Sequence, residues 1–168
     1  TARYMEFALG SSEVDVKMGY NLGEIGRIKD NLISLMQNEK FDLDSIVVTS
    51  SASPEGTVRF NERLSQKRSE GISEYFSKWM NHYQDSLERE RGFAVDEEGN
   101  IVVEKRTQIL MMGRSSGENW QMLDRLVEKD TVMTEDEKKS YISSAEIMDI
   151  DQRERSLQNL GCYRHMRE

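Results

Sequence analysis

The feature that most constrains the fold is the passage from strand to helix in residues 45–76, SIVVTSSASPEGTVRFNERLSQKRSEGISEYF. The β-branched run Ile46–Thr49 has the length and composition of a strand that is buried on both faces. It ends in SASPEG, which contains the chain's only proline. Beyond this turn, large apolar residues recur every three or four positions, which predicts a helix from Thr57 to about Tyr83.

The flanking segments predict further strands and helices. In YMEFALG (4–10) the apolar residues alternate, which predicts a strand. Three-and-four spacing predicts a helix over 20–36, so strand, helix and strand follow in order. An acidic EEGN turn between FAV and IVV predicts a hairpin, which leads into a third sheet strand over 107–112 that ends at Gly113. The sequence therefore predicts an α/β or α+β fold with at least three strands.

The C-terminal part of the chain predicts helices. Trp120, Leu123, Leu126 and Val127 indicate one helix, and Thr134 with Glu137 forms a capping box for a second. A third is predicted from about 151 to 160, with a left-handed C′ residue at Gly161. No repeat or linker marks a boundary. We therefore expect a single domain over 1–168, with a core of about 3–113 and a helical insertion of about 115–161 packed on it.

Composition excludes several classes of function. The net charge of −8 repels nucleic acid and anionic lipid, and no basic block overrides it. No apolar run approaches the roughly 20 residues that a membrane helix needs, so we expect membrane association only through segments outside this chain. Cys162 is the only cysteine, and an internal disulfide is therefore impossible.

Catalytic and metal sites have little support in the sequence. Neither His82 nor His165 has Cys or paired acidic residues at ligand spacing. The serines around Ser51 lack a G-x-S-x-G elbow and a base. GRSSGEN (113–119) lacks the spacing of a phosphate loop and is predicted to be a turn and cap, and DIDQRE (149–154) is predicted to cap a helix. We expect no enzymatic activity, no metal and no cofactor.

The SASPEG turn is the best candidate for a binding site. The crevice beyond a strand's carboxyl end is the usual ligand site of α/β layers, and a helix start binds anions. Gly56 permits a close approach or a positive φ. Asn61 and Arg68 lie seven residues apart, on one side of the helix, where an arginine offers a fork for a carboxylate. In the alternative that the residues leave open, Arg68 belongs to a solvated basic face and Asn61 is a structural tie to the loop.

A short motif after the turn resembles a known family. In NERLSQKR, the spacing of Gly56, Asn61, Leu64, Ser65 and Arg68 is similar to that of the OmpA-like peptidoglycan-binding module. The predicted strand MEFALGSS and the helix over 20–36 match the same module, so the resemblance covers roughly 3–80. The sequence SASPEG is similar to that of OmpA-like members in envelope proteins of the Bacteroides group. The resemblance implies a βαβαβ mixed sheet with helices packed on it.

The resemblance also implies a function and a set of ligand residues. It implies a domain at the periplasmic face of the outer membrane that binds the peptide stem of peptidoglycan without covalent chemistry and so tethers an outer-membrane protein to the cell wall. In the family, a turn Asp holds the ammonium of the diamino acid and a helix Arg holds its carboxylate. Arg68 matches that Arg, whereas Ser53 stands at the Asp position. Glu55 either supplies the missing charge or only lies at the first helical turn, where acidic residues are favoured anyway. The expected ligand residues are Ser53, Glu55, Gly56, Asn61 and Arg68.

Two departures from the family leave an alternative open. The Arg-rich strand that closes the family's sheet is not found before Glu168, so either segment 115–161 is inserted ahead of it or this branch is built differently. Ser53 lacks the charge of the family Asp. The alternative is a scaffold that has lost wall binding and docks a surface-appendage or outer-membrane protein through 115–161. An exposed apolar patch on 115–161 would favour the scaffold, because such patches mark partner sites.

Overall fold

A computed structural model describes residues 3–38, 40, 43–54, 56–92, 94–95, 98–99, 101–102, 106 and 108–166. These residues form a mixed α and β structure, which confirms the predicted class. Its elements, in chain order, are α1 (Asn21–Met36), β1 (Ser45–Ala52), α2 (Val58–Arg91), β2 (Ala94–Val95), β3 (Ile101–Val102), β4 (Leu110–Glu118), α3 (Trp120–Lys129), α4 (Glu135–Ala145), α5 (Ile150–Gln158) and α6 (Tyr163–Met166).

The described strands form two small sheets. β1 and β4 pair in parallel: the Leu110 N–H donates to the Asp44 carbonyl, and the Asn119 N–H donates to the Ala52 carbonyl. β2 and β3 form the predicted antiparallel hairpin. The predicted end of the third sheet strand at Gly113 is wrong, because β4 continues to Glu118. GRSSGEN is therefore mostly strand, and only Asn119 acts as the expected cap, accepting a hydrogen bond from the Met122 N–H.

The predicted strand over 4–10 is wrong, because side chains bind its backbone. The Asn21 side chain accepts from the Glu6 N–H at 2.7 Å and donates to the Glu6 carbonyl at 2.8 Å. Arg68 donates to the carbonyls of Ala8 and Ser11. These backbone groups are thus bonded without a neighbouring strand. The alternating pattern still places Met5 and Phe7 against the hydrophobic core.

The contacts divide the chain into two compact units. Unit 1 consists of 1–49 and 67–114, and unit 2 consists of 50–66 and 115–168. The division cuts across the predicted core of 3–113, because residues 50–66 group with the C-terminal helices. No described helix combines the length and the apolar character needed to cross a membrane.

The core of unit 1 confirms the helical periodicity predicted for α1 and α2. Its buried members are Ile25, Leu32, Ile72, Phe76 and Met80. Burial of each such side chain stabilises the fold by about 1.5–3 kcal/mol.

β4 approaches α2 closely at one point in unit 1. A Cβ on Gly113 would lie 2.7 Å from the Glu70 nitrogen and 2.8 Å from the Ser69 carbonyl carbon. The Ser69 side chain is fully buried at this approach. Small residues on both elements therefore set the distance between strand and helix.

Unit 2 has a hydrophobic cluster of its own, formed by its helices. Its buried members are Val127, Met133, Tyr141, Leu157 and Cys162. The capping box of Thr134 and Glu137 is confirmed, and Asp149 caps α5 as expected of DIDQRE. The left-handed conformation predicted for Gly161 is wrong, because α5 already ends at Gln158 with a right-handed cap at Asn159.

Candidate functional site

The turn between β1 and α2 lies in unit 2 and has the conformation that its glycine permits. Gly56 has a φ of +117°, a region that L side chains rarely adopt. The Thr57 hydroxyl accepts from the Phe60 N–H and so caps the first turn of α2. Ser53 is exposed, and Glu55 lies outside the described residues. The turn is therefore built as predicted at Gly56, while the compensating role considered for Glu55 stays a prediction.

A carboxylate of the protein itself is bound at this turn. The Gly56 N–H donates to Glu154 Oε1 at 2.8 Å, and the Gln158 side chain donates to the same oxygen at 2.9 Å. Glu154, on α5, is only 7% exposed. Burial raises its pKa, and the nearby Glu118 carboxylate raises it further, while the bond from Gly56 opposes both. The anion-binding character predicted for the turn is thus used by a residue 98 positions away along the chain.

Asn61 is likewise bonded inside unit 2. It is 1% exposed, and its Nδ2 donates to Glu118 Oε1 at 2.7 Å. The other Glu118 oxygen accepts from Trp120 Nε1 at 2.8 Å. The Ser65 side chain, one turn further along α2, is fully buried, and its hydroxyl bonds with that of Ser115. The motif residues of α2 in this unit therefore join the helix to the end of β4 and the start of α3.

Arg68 belongs to unit 1, where it is buried rather than part of a solvated face. Its residue exposure is 8%. Its Nε donates to the Ser11 carbonyl at 2.8 Å and its Nη2 to the Ala8 carbonyl at 3.1 Å. The guanidinium lies 4.9 Å from the centre of the Phe7 ring. Burial lowers the pKa of Arg68. The side chain thus secures the N-terminal segment to α2, a role that its position in the motif did not predict.

A polar network that the sequence did not predict joins the helices of unit 2. The Tyr141 hydroxyl donates to Asp124 Oδ1 at 2.5 Å, and Arg153 Nη2 donates to the same oxygen at 3.0 Å. The Arg153 guanidinium lies 4.0 Å from the centre of the Trp120 ring. Burial raises the pKa of Tyr141, and the bond to Asp124 adds to this. Of this network, the sequence pattern indicated only Trp120. The three polar residues lie on three different helices, so their spacing in the sequence does not show that they meet.

His165 and Ser51 have ordinary structural partners. His165 Nε2 lies 2.8 Å from Asp130 Oδ2. The pKa of Asp130 is lowered to about 2, first by the bond from the Met133 N–H and then by His165. The Ser51 hydroxyl accepts from Asn119 Nδ2 at 3.4 Å. Within the described ranges, no group of three or more His, Cys, Asp or Glu residues is placed to hold a metal ion.

The helical part of unit 2 exposes several large apolar side chains. Their exposed fractions run from 43% to 98%. The six are Met122, Leu126, Val132, Ile142, Met148 and Ile150. Met122 and Leu126 are four residues apart on α3, so they lie on one face of that helix. These exposed side chains lie in the segment where the scaffold alternative expects an apolar patch.

Comparisons with protein-family models, curated proteins and solved structures found no match to this chain.

Proposed function

We propose that this chain is a non-enzymatic domain of the cell envelope that docks a protein partner at the periplasmic face of the outer membrane. The docking surface is formed by the exposed apolar side chains of segment 115–161. The observation that carries the proposal is their number and exposure on α3, on α4, at the start of α5 and in the connections between the helices. The envelope location and the OmpA-like fold rest on the resemblance of the motif NERLSQKR and of the helix α1, since the strand expected in MEFALGSS is not formed.

The state of the predicted ligand groups supports docking over ligand binding. Gly56 donates its N–H to Glu154, and Asn61 donates its amide to Glu118. Arg68 donates to two backbone carbonyls. A stem peptide would have to break these bonds before forming its own, and buried groups left without partners cost about 1–3 kcal/mol each. Ser53, which is exposed, has no charge to offset that cost.

The chemistry of the exposed side chains indicates an apolar partner surface. Met122 and Leu126 form an exposed stripe on α3, beside the face whose Leu123 and Val127 side chains pack in the cluster. Burial of apolar surface stabilises a complex by about 25 cal/mol for each Å² removed from water, before the costs of association. Methionine side chains adapt readily to partners of different shape. We therefore expect an amphipathic or apolar protein surface as the partner.

Site-specific crosslinking in cells of the source organism tests the proposal. A photoreactive phenylalanine analogue replaces Leu126 or Met148, and a matched control replaces Leu22, which is 67% exposed in unit 1. We expect the same protein to be crosslinked from both unit 2 positions and not from Leu22. Crosslinks that are equal at all three positions, or that join only peptidoglycan fragments, would contradict the proposal.

Binding of the purified partner then measures the contribution of the surface. We expect Leu126→Glu combined with Met148→Glu to weaken the complex by at least about tenfold, because two charges would have to be buried without partners. Leu22→Glu should leave the affinity unchanged. Isothermal titration calorimetry of the three proteins checks both values, and an unaffected double variant would contradict the assignment of this surface.

Binding of a peptidoglycan stem is a second candidate function, and one observation favours it. The turn at Gly56 already holds a carboxylate at 2.8 Å, so its geometry suits the acidic group of a stem peptide. In this alternative, the ligand would take the place of Glu154, and Glu118 would offer a negative charge that Ser53 lacks.

A further inference from the structure

We propose that Glu154 is a built-in competitor that closes the turn at Gly56 against carboxylates from solution. The contact joins α5 to the start of α2 within unit 2. The inference goes beyond partner docking and depends neither on the identity of a protein partner nor on peptidoglycan. It predicts that a simple carboxylate gains access to the turn only when Glu154 is displaced.

The first argument is the match between donor and acceptor. The Gly56 N–H is directed at a carboxylate oxygen 2.8 Å away, and a bond from an N–H to a charged acceptor is stronger than one to a neutral acceptor. With φ at +117°, Gly56 takes a backbone conformation that a residue with a Cβ would take only with strain. The turn is therefore shaped to present this N–H, and a carboxylate is the group that it holds.

The second argument is that the internal carboxylate is held at a cost. Glu154 is only 7% exposed, and burial of a charge without full compensation is unfavourable. Glu118 is close enough to repel it, and Asp151 on the same helix repels it as well. The groups that oppose this repulsion are the Gly56 N–H and the Gln158 amide. Displacement of Glu154 from the turn would therefore relieve this burial and repulsion.

Acetate is the probe that tests the competitor, because it carries a carboxylate and little else. The chemical shift of the Gly56 amide is followed by NMR during titration with sodium acetate, and sodium chloride at equal ionic strength serves as the control salt. In the unsubstituted protein we expect no saturable shift. In Glu154→Ala we expect a saturable shift of the Gly56 amide with acetate and none with chloride.

Two further variants keep the test decisive. Gln158 is exposed, so Gln158→Ala should fold while it removes one of the two donors to Glu154. We expect this variant to respond to acetate more strongly than the unsubstituted protein and less strongly than Glu154→Ala. Glu146→Ala removes an exposed carboxylate of the same unit and should respond like the unsubstituted protein.

The outcomes are distinct. A graded response in the order Glu154→Ala, Gln158→Ala, unsubstituted protein supports the competitor. If Glu154→Ala does not fold, the comparison of Gln158→Ala with Glu146→Ala gives the same answer. An equal response in all proteins overturns the proposal. So does the absence of a response from both Glu154→Ala and Gln158→Ala. The crosslinking tests the protein partner, and the acetate titration tests the competitor. Failure of one proposal is therefore distinguishable from failure of the other.

Discussion

At the scale of single residues, burial and bonding decide what the motif side chains do. Arg68 and Asn61 were placed on α2 correctly from sequence, since helical spacing fixes the side of a helix on which a residue lies. Their partners were not predictable, because Ser11 is distant from Arg68 in the sequence and Glu118 is distant from Asn61. Glu154 was missed for the same reason, and its only local signal was an acidic residue in a capped helix.

Arg68→Ala should destabilise the protein. The substitution leaves the carbonyls of Ala8 and Ser11 without their charged donor, and we expect a loss of about 2–3 kcal/mol in the free energy of unfolding. Lys67→Ala, on the exposed side of the same helix, should change it by less than about 0.5 kcal/mol. Urea unfolding measures both, and equal values for the two variants would contradict a structural role for Arg68.

The raised pKa of Glu154 predicts a pH dependence of stability. The pKa in the folded protein lies above the ordinary value of 4.5, so protonation of Glu154 favours the folded state. This contribution is complete below pH 4.5 and is lost as the pH rises through the folded pKa. The free energy of unfolding of the unsubstituted protein minus that of Glu154→Gln should therefore fall with rising pH and then become constant. A difference that rises across this window would refute the assignment.

At the scale of elements, periodicity predicted the long helices well and the sheet less well. α1 and α2 repeat apolar residues every three or four positions, and both were found. The expected strand over 4–10 has a strand's alternation, yet its backbone bonds to the side chains of Asn21 and Arg68. The length of β4 was underestimated because Gly113 was interpreted as an end, whereas it marks the approach of β4 to α2.

Gly113→Ala should destabilise the contact between β4 and α2. The new Cβ would meet backbone atoms of Ser69 and Glu70, which cannot rotate away, and overpacking of this kind costs about 1–3 kcal/mol. Gly23→Ala in α1 meets nothing within 4 Å and should stabilise the protein by roughly 0.5–1 kcal/mol. Thermal unfolding of both variants checks the signs, and a neutral Gly113→Ala would show that the strand shifts to accommodate the methyl group.

At the scale of the whole molecule, the sequence predicted the class of fold but not its division into two units. Apolar periodicity reports which residues of one element are buried, and it does not report which elements share a core. Residues 50–66 therefore looked like part of the N-terminal half, although they group with 115–168. The residues of the predicted site are divided in the same way: Gly56 and Asn61 belong to unit 2, and Arg68 belongs to unit 1.

The central claim is that the polar groups expected to bind a stem peptide are committed to bonds within the protein. Titration of the unsubstituted protein with a soluble diaminopimelate-containing muropeptide, followed by heteronuclear NMR, tests it most directly. We predict no saturable shifts of the amides of Ser53, Gly56, Asn61 and Arg68 at millimolar muropeptide. Saturable shifts clustered on 50–68 would contradict the claim and would favour peptidoglycan binding over partner docking.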